Sequence, residues 1–128
     1  MGGLSSLSAP QLGKLCIKAV IEDSKIPKDI VDEIIMGQVL TGGSGQNPAR
    51  QSSILAGIPE EKSALTINQV CGSGLRAISI GAQSIISGQS EIVIAGGQES
   101  MSNAHHTSNL RNGLKMGDGE LKDSMIID

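Results

Sequence analysis

Few side chains in this sequence could carry chemistry. Cys71 lies in the run Thr66-Ile67-Asn68-Gln69-Val70-Cys71-Gly72-Ser73-Gly74-Leu75-Arg76. Leu65, Ile67 and Val70 give the β-prone, half-alternating pattern of a short strand over 65–70. From Ser73 the pattern changes: Leu75, Ile78, Ala82, Ile85 and Ile86 recur at three- and four-residue steps, the apolar face of a helix over 73–87. Gly88 follows as its C-terminal stop. Cys71 is thereby placed at a strand-to-helix turn, where free backbone N–H groups and the helix dipole favour a thiolate. The thiolate is the reactive form, so the site suits a nucleophile.

The other candidates point elsewhere. Cys16 falls on an apolar helical stripe with Leu12, Leu15, Ala19 and Val20, and reads as a buried structural thiol. His105-His106 could serve as a metal pair or a general base, yet no Cys, Asp or Glu stands at ligand spacing. The pair reads as a solvated loop, and no metal site is expected. The glycine-rich stretch Thr41-Gly42-Gly43-Ser44-Gly45-Gln46-Asn47 invites a phosphate-cradle reading. Pro48 stands where the last glycine of G-x-G-x-x-G would be, so the stretch reads as a turn and no cofactor-binding residues are assigned.

The elements that position Cys71 follow from caps and periods. Ser8 as N-cap, Gln11 completing a capping box and Pro10 in the first turn open a helix that Pro27 ends. Asp29 to Glu33 is a charged turn, and residues 34–40 read as a buried strand. Asn47 as N-cap and Pro48 at the first helical position open a second helix through Arg50 and Leu55 to Gly57, stopped by Pro59. Glu91 to Ala95 is a further strand ending in Gly96-Gly97. Strand, helix and strand around Cys71 make a βαβ unit, with a right-handed crossover expected. The chain is therefore predicted to be α/β, with at least three largely parallel strands and helices on the faces of the sheet. Ligands collect at the carboxyl ends of such strands, where Cys71 and Gly96-Gly97 both fall. From Glu99 onward no period is sustained.

Composition excludes several classes. A net charge of −3 across 128 residues argues against a nucleic-acid binder. No apolar run approaches the roughly 20 residues needed to span a bilayer. No basic segment followed by an apolar one opens the chain, so no signal peptide is read. Two cysteines without framework spacing fit a reducing compartment, and cytoplasm is the expectation. Phe, Tyr and Trp are all absent, which at this length is expected of a piece of a larger core.

Val70-Cys71-Gly72-Ser73-Gly74-Leu75-Arg76-Ala77, followed by Ala95-Gly96-Gly97-Gln98-Glu99-Ser100-Met101-Ser102, resembles the thiolases, and among them the biosynthetic acetyl-CoA C-acetyltransferases. Gly37-Gln38-Val39-Leu40, Gly45-Gln46-Asn47-Pro48-Ala49-Arg50-Gln51 and Lys115-Met116-Gly117-Asp118 carry the same likeness, which runs from about Leu4 to Asp128. The resemblance implies a thiolase-like fold, of which this chain would be the incomplete N-terminal βαβαβ half. Residues 1–103 would form the α/β domain, with its first strand missing, and 104–128 the start of the loop and tetramerisation region.

The resemblance also implies that Cys71 takes the acyl group from acetyl-CoA as a thioester. Its backbone N–H would be one donor of the oxyanion hole; losing such a donor costs roughly 3–4 kcal/mol of barrier. A second acetyl-CoA would then attack to give acetoacetyl-CoA and CoA, reversibly. CoA species would be substrate and product, with no resident cofactor, and the assembly a homo-oligomer, a dimer of dimers. The Asn, Gly-His-Pro and Cys-x-Gly motifs of the family's second half are not in this sequence, and neither His105, His106 nor Cys16 sits in them. The segment alone is accordingly expected to be inactive. The alternative is a non-catalytic truncated chain acting only as an interaction or degenerate product.

Overall fold

Ile34, Ile35 and Met36 are buried on both faces of their strand, which makes β1 (Glu33–Gly37) the centre of the sheet. A computed structural model describes residues 2–127. In chain order the elements are α1 (Ala9–Ser24), β1, α2 (Pro48–Ala56), β2 (Ser63–Ile67), α3 (Ser73–Ile86), β3 (Val93–Gly97) and two short strands, β4 (His106–Thr107) and β5 (Lys122–Asp123). The main sheet has the order β2-β1-β3 and is parallel throughout. Ile35 pairs with Leu65 on one side and with Ala95 on the other. The α/β class, the parallel sheet and the helices on its faces are as the sequence predicts.

The caps are also as read. Ser8 and Gln11 form a reciprocal capping box, with the Ser8 N–H donating to Gln11 Oε1 at 2.8 Å. Asn47 caps α2 through the Arg50 N–H at 3.1 Å, and its amide donates to the Ala64 carbonyl at 3.0 Å. One side chain thus starts a helix and ties it to the neighbouring strand. Helix α2 is capped at Gly57, as expected; α3 ends at Ile86, one residue short of the expectation, with Ser87 as its cap and Gly88 following at φ 76°.

The strand limits and the helix faces differ from the expectation. β1 stops at Gly37 rather than Leu40, and β2 covers 63–67 rather than 65–70. β3 covers 93–97, and the N–H groups of residues 91 and 92 donate to the Asp32 carboxylate instead of joining the ladder. On α1 the buried residues are Ala9, Pro10, Gly13 and Ile17, while Leu15, Cys16 and Val20 are exposed. On α3 the buried residues are Ser73, Ala77, Gly81 and Ser84, while Leu75, Ile78, Ile85 and Ile86 face outward. Helix α3 presses a stripe of small residues onto its neighbours. A Cβ on Gly81 would lie 3.1 Å from Val93 Cγ1, so α3 approaches β3 as closely as a bare backbone allows. Cys16 is consequently exposed, not buried.

One core lies between β1 and the α1–α2 pair, built from Ile17, Val31, Ile34, Met36, Ala49, Ala56 and Ile58. Beyond β3, a 3-10 turn over Met101–Asn103 leads to an antiparallel β4–β5 pairing, with His106 opposite Asp123. Among the described residues no helix is long and apolar enough to cross a membrane.

Candidate active site

The turn between β2 and α3 is built by its own side chains. Asn68 Oδ1 accepts the Val70 N–H at 2.9 Å. The Ser73 hydroxyl accepts the Gln69 N–H at 2.8 Å and donates to the Val70 carbonyl at 2.6 Å. The N–H groups of Gly72 and Ser73 donate to the carbonyls of Gln69 and Val70 at 3.1 and 3.0 Å. Inside this network Val70 takes φ 49°, the left-handed region, rather than the extended conformation its place in the predicted strand implied. Cys71 follows, exposed, immediately before Gly72, the N-cap of α3.

Three glycines let the helix start reach the strand ends. A Cβ on Gly37 would lie 2.6 Å from Ser73 Cβ and 2.7 Å from the Gly74 nitrogen. A Cβ on Gly97 would lie 3.4 Å from Gly74 Cα. The first turn of α3 therefore packs backbone to backbone on the carboxyl ends of β1 and β3, and Cys71 is carried to that edge of the sheet.

A cleft of about 590 Å³ opens there. Cys71 and Val70 form one wall, Val39 and Leu40 line it from the segment after β1, and Met101 and Met125 come from the later chain. The Glu99 carboxylate accepts the Val39 N–H at 2.8 Å and the Leu40 N–H at 3.3 Å, pinning that segment to the end of β3. Below it, the Gln98 amide donates to Gln38 Oε1 at 2.9 Å, and the Gln38 amide donates to the Leu40 carbonyl at 3.0 Å. The Ser52 hydroxyl lies 2.5 Å from Gln98 Oε1 and 2.9 Å from the Pro48 carbonyl. Both glutamines are buried and each has partners, as buried amides require.

Of the two cysteines and two histidines, Cys71 alone lines this cleft among the described residues; Glu99 and Ser73 line it as well, with their oxygens bonded to backbone groups. His105 lines a separate cleft of about 230 Å³, its ring packed on Gly43, together with Ser8, Gln51 and Asn103. His106 is exposed, its Nε2 4.0 Å from Asp123 Oδ2 across the β4–β5 pair. Cys16 sits on the outer side of α1. The sequence reading passed over Gln38, Ser73, Gln98 and Glu99 as individual residues. One signal was available: Gln38 directly follows β1 and Gln98-Glu99 directly follow β3, the strand ends where parallel sheets build their sites.

Residues 1–128 match the family described as thiolase, N-terminal domain. The chain is 53% identical over 128 residues to an acetyl-CoA acetyltransferase of Cupriavidus necator, covering 99% of this chain and 33% of that protein. It is 52% identical over 128 residues to a probable acetyl-CoA acetyltransferase of Escherichia coli, covering 99% of this chain and again 33% of that protein. The crystal structure of the Acat5 thiolase from Ascaris suum in complex with coenzyme A superposes with a TM-score of 0.90 at 44% identity, over 97% of this chain and 32% of that one. The chain thus spans about a third of the length of these relatives. With the family matched along all of its residues, and the same fold found in a solved thiolase, the chain belongs to the thiolases.

Proposed function

We propose that this chain supplies the acyl-accepting nucleophile of an acetyl-CoA C-acetyltransferase. The observation that carries the reading is the position of Cys71. It is an exposed thiol on the wall of the cleft at the carboxyl ends of β1 and β3, one residue before the helix N-cap. The identity to proteins named acetyl-CoA acetyltransferases supports the substrate class.

In the proposed reaction the Cys71 thiolate attacks the carbonyl carbon of acetyl-CoA. The oxygen gains charge, facing the Cys71 backbone N–H in the proposed oxyanion hole. The carbon–sulfur bond to CoA then breaks, leaving acetyl-Cys71, and CoA departs with a proton. A second acetyl-CoA, having lost an α-proton, attacks the new thioester; a carbon–carbon bond forms, Cys71 leaves as thiolate, and acetoacetyl-CoA results. Every step reverses. The groups that move these protons are expected in the part of the relatives this chain does not span.

On the same reading CoA is substrate and product, and no resident cofactor takes part. Residues 1–103 serve as the α/β domain and 104–128 open the loop region. The working form is a cytoplasmic homo-oligomer, a dimer of dimers.

The test is to incubate the complete protein, as its source cell makes it, with acetyl-labelled acetyl-CoA and map the label by peptide mass spectrometry. Acetyl on Cys71, abolished in Cys71→Ser, is the expected outcome. Active protein that carries no acetyl on Cys71 removes the assignment.

A further inference from the structure

We infer that Ser73 is a positioning residue: it clamps Val70 in the left-handed backbone region and so fixes where Cys71 points. The inference rests on the proposed role of Cys71. Val70 is β-branched and has no glycine-like freedom, yet it adopts φ 49°. A β-branched residue stays there only when its surroundings leave it no alternative.

Ser73 supplies most of that constraint. Its hydroxyl is used from both sides, accepting from the Gln69 N–H at 2.8 Å and donating to the Val70 carbonyl at 2.6 Å. Its own N–H donates to the same carbonyl at 3.0 Å. The peptide groups on both sides of the 69–70 step are thus held by one side chain, while Asn68 Oδ1 holds the Val70 N–H at 2.9 Å.

The clamp is anchored. Ser73 is buried, and a Cβ on Gly37 would meet its Cβ at 2.6 Å, so it sits directly on the backbone of the central strand. The hydroxyl caps none of α3's own N–H groups, since the N-cap is Gly72 and has no side-chain cap. Released from the clamp, Val70 relaxes toward extended backbone and carries Cys71 off the cleft wall. Reacting groups misplaced by about 1 Å lose on the order of 100-fold in rate.

The decisive comparison uses the complete protein in four forms: unaltered, Ser73→Ala, Ser73→Cys, and Val70→Gly combined with Ser73→Ala. Three quantities are read for each: the rate of Cys71 carbamidomethylation by iodoacetamide, followed by peptide mass spectrometry so that Cys16 is resolved separately; kcat and KM for acetyl transfer; and Tm. Ser73→Ala is expected to slow both Cys71 alkylation and kcat, by up to about 100-fold, with KM changing far less. Adding Val70→Gly is expected to recover most of the alkylation rate, because glycine holds a positive φ without a clamp.

Ser73→Cys keeps the side-chain size with weaker hydrogen bonding, and carries the test where Ser73→Ala does not fold: Cys71 alkylation slower than in the unaltered protein is expected. Parental alkylation in folded Ser73→Ala or Ser73→Cys overturns the inference. So does a double variant no faster than Ser73→Ala. Acetyl transfer that survives Cys71→Ser would instead remove the functional reading, while the alkylation series still decides the clamp.

Discussion

Asp32 and Glu99 are carboxylates that do the work of backbone. Asp32 precedes β1 and accepts the N–H groups of Glu91 and Ile92 at 2.8 and 3.0 Å, fixing the approach to β3. Glu99 follows β3 and accepts the N–H groups after β1. The pair staples the β1–β3 ladder at both ends. The Ile92 and Glu91 N–H groups, helped by Lys62, hold the Asp32 carboxyl below its ordinary range against a smaller opposing effect of burial. A carboxyl that ionises more easily folded than unfolded adds stability at pH values above its unfolded pKa of about 3.9. That contribution disappears as the pH falls through the lower folded value. Asp32→Asn is therefore expected to lower Tm at neutral pH, with the gap to the unaltered protein closing below about pH 4. A gap constant with pH would mean the carboxylate charge plays no part. In the sequence Asp32 reads only as one charge of a turn, because its partners lie 59 and 60 residues away.

At the scale of elements, the meeting of α3 with β1 and β3 decides the geometry of the site. Gly37→Ala would drive a methyl group to within 2.6 Å of Ser73 Cβ and 2.7 Å of the Gly74 nitrogen, neither of which can swing aside. Overpacking of this kind costs about 1–3 kcal/mol, and relief comes by moving the turn that carries Cys71. Chemical denaturation and Cys71 alkylation should both register the change. Gly96→Ala is the control: its Cβ would meet nothing within 4 Å, and its stability should stay within about 0.5 kcal/mol of the unaltered protein. Unchanged stability in Gly37→Ala would contradict the close packing. The same contacts explain why the apolar stripes of α1 and α3 are legible but misassigned. Periodicity finds an apolar face without saying which neighbour it meets. Here the buried faces, Gly13 and Ile17 on α1 and the small residues Ala77 and Gly81 on α3, meet this chain's own elements.

For the molecule as a whole, the outward face of α3 is an exposed apolar surface, with Ile86 85%, Leu75 75% and Ile78 53% accessible. Among the described residues the main sheet has three strands, so β2 and β3 are both edges. Apolar faces and open strand edges favour association. Residues 1–128 expressed alone are expected to associate as concentration rises in sedimentation velocity, and Ile86→Lys with Leu75→Glu should raise the soluble fraction. A monodisperse monomer with a cooperative melt at high concentration would contradict this.

The sequence by itself determined the α/β class, the parallel strands, the helix starts at Ser8 and Asn47, and the placing of Cys71 at a strand-to-helix turn. These depend on caps, breakers and short periods, which are properties of neighbouring residues. Only the tertiary structure decided which face of each helix is buried, and that Gln38 and Gln98 pair beneath the cleft. It also decided that Glu99 pins Val39 and that Val70 leaves the strand for a left-handed turn under Ser73. Those arrangements depend on groups brought together by the parallel register of β1 with β2 and β3, and separation along a chain carries no record of distance in space.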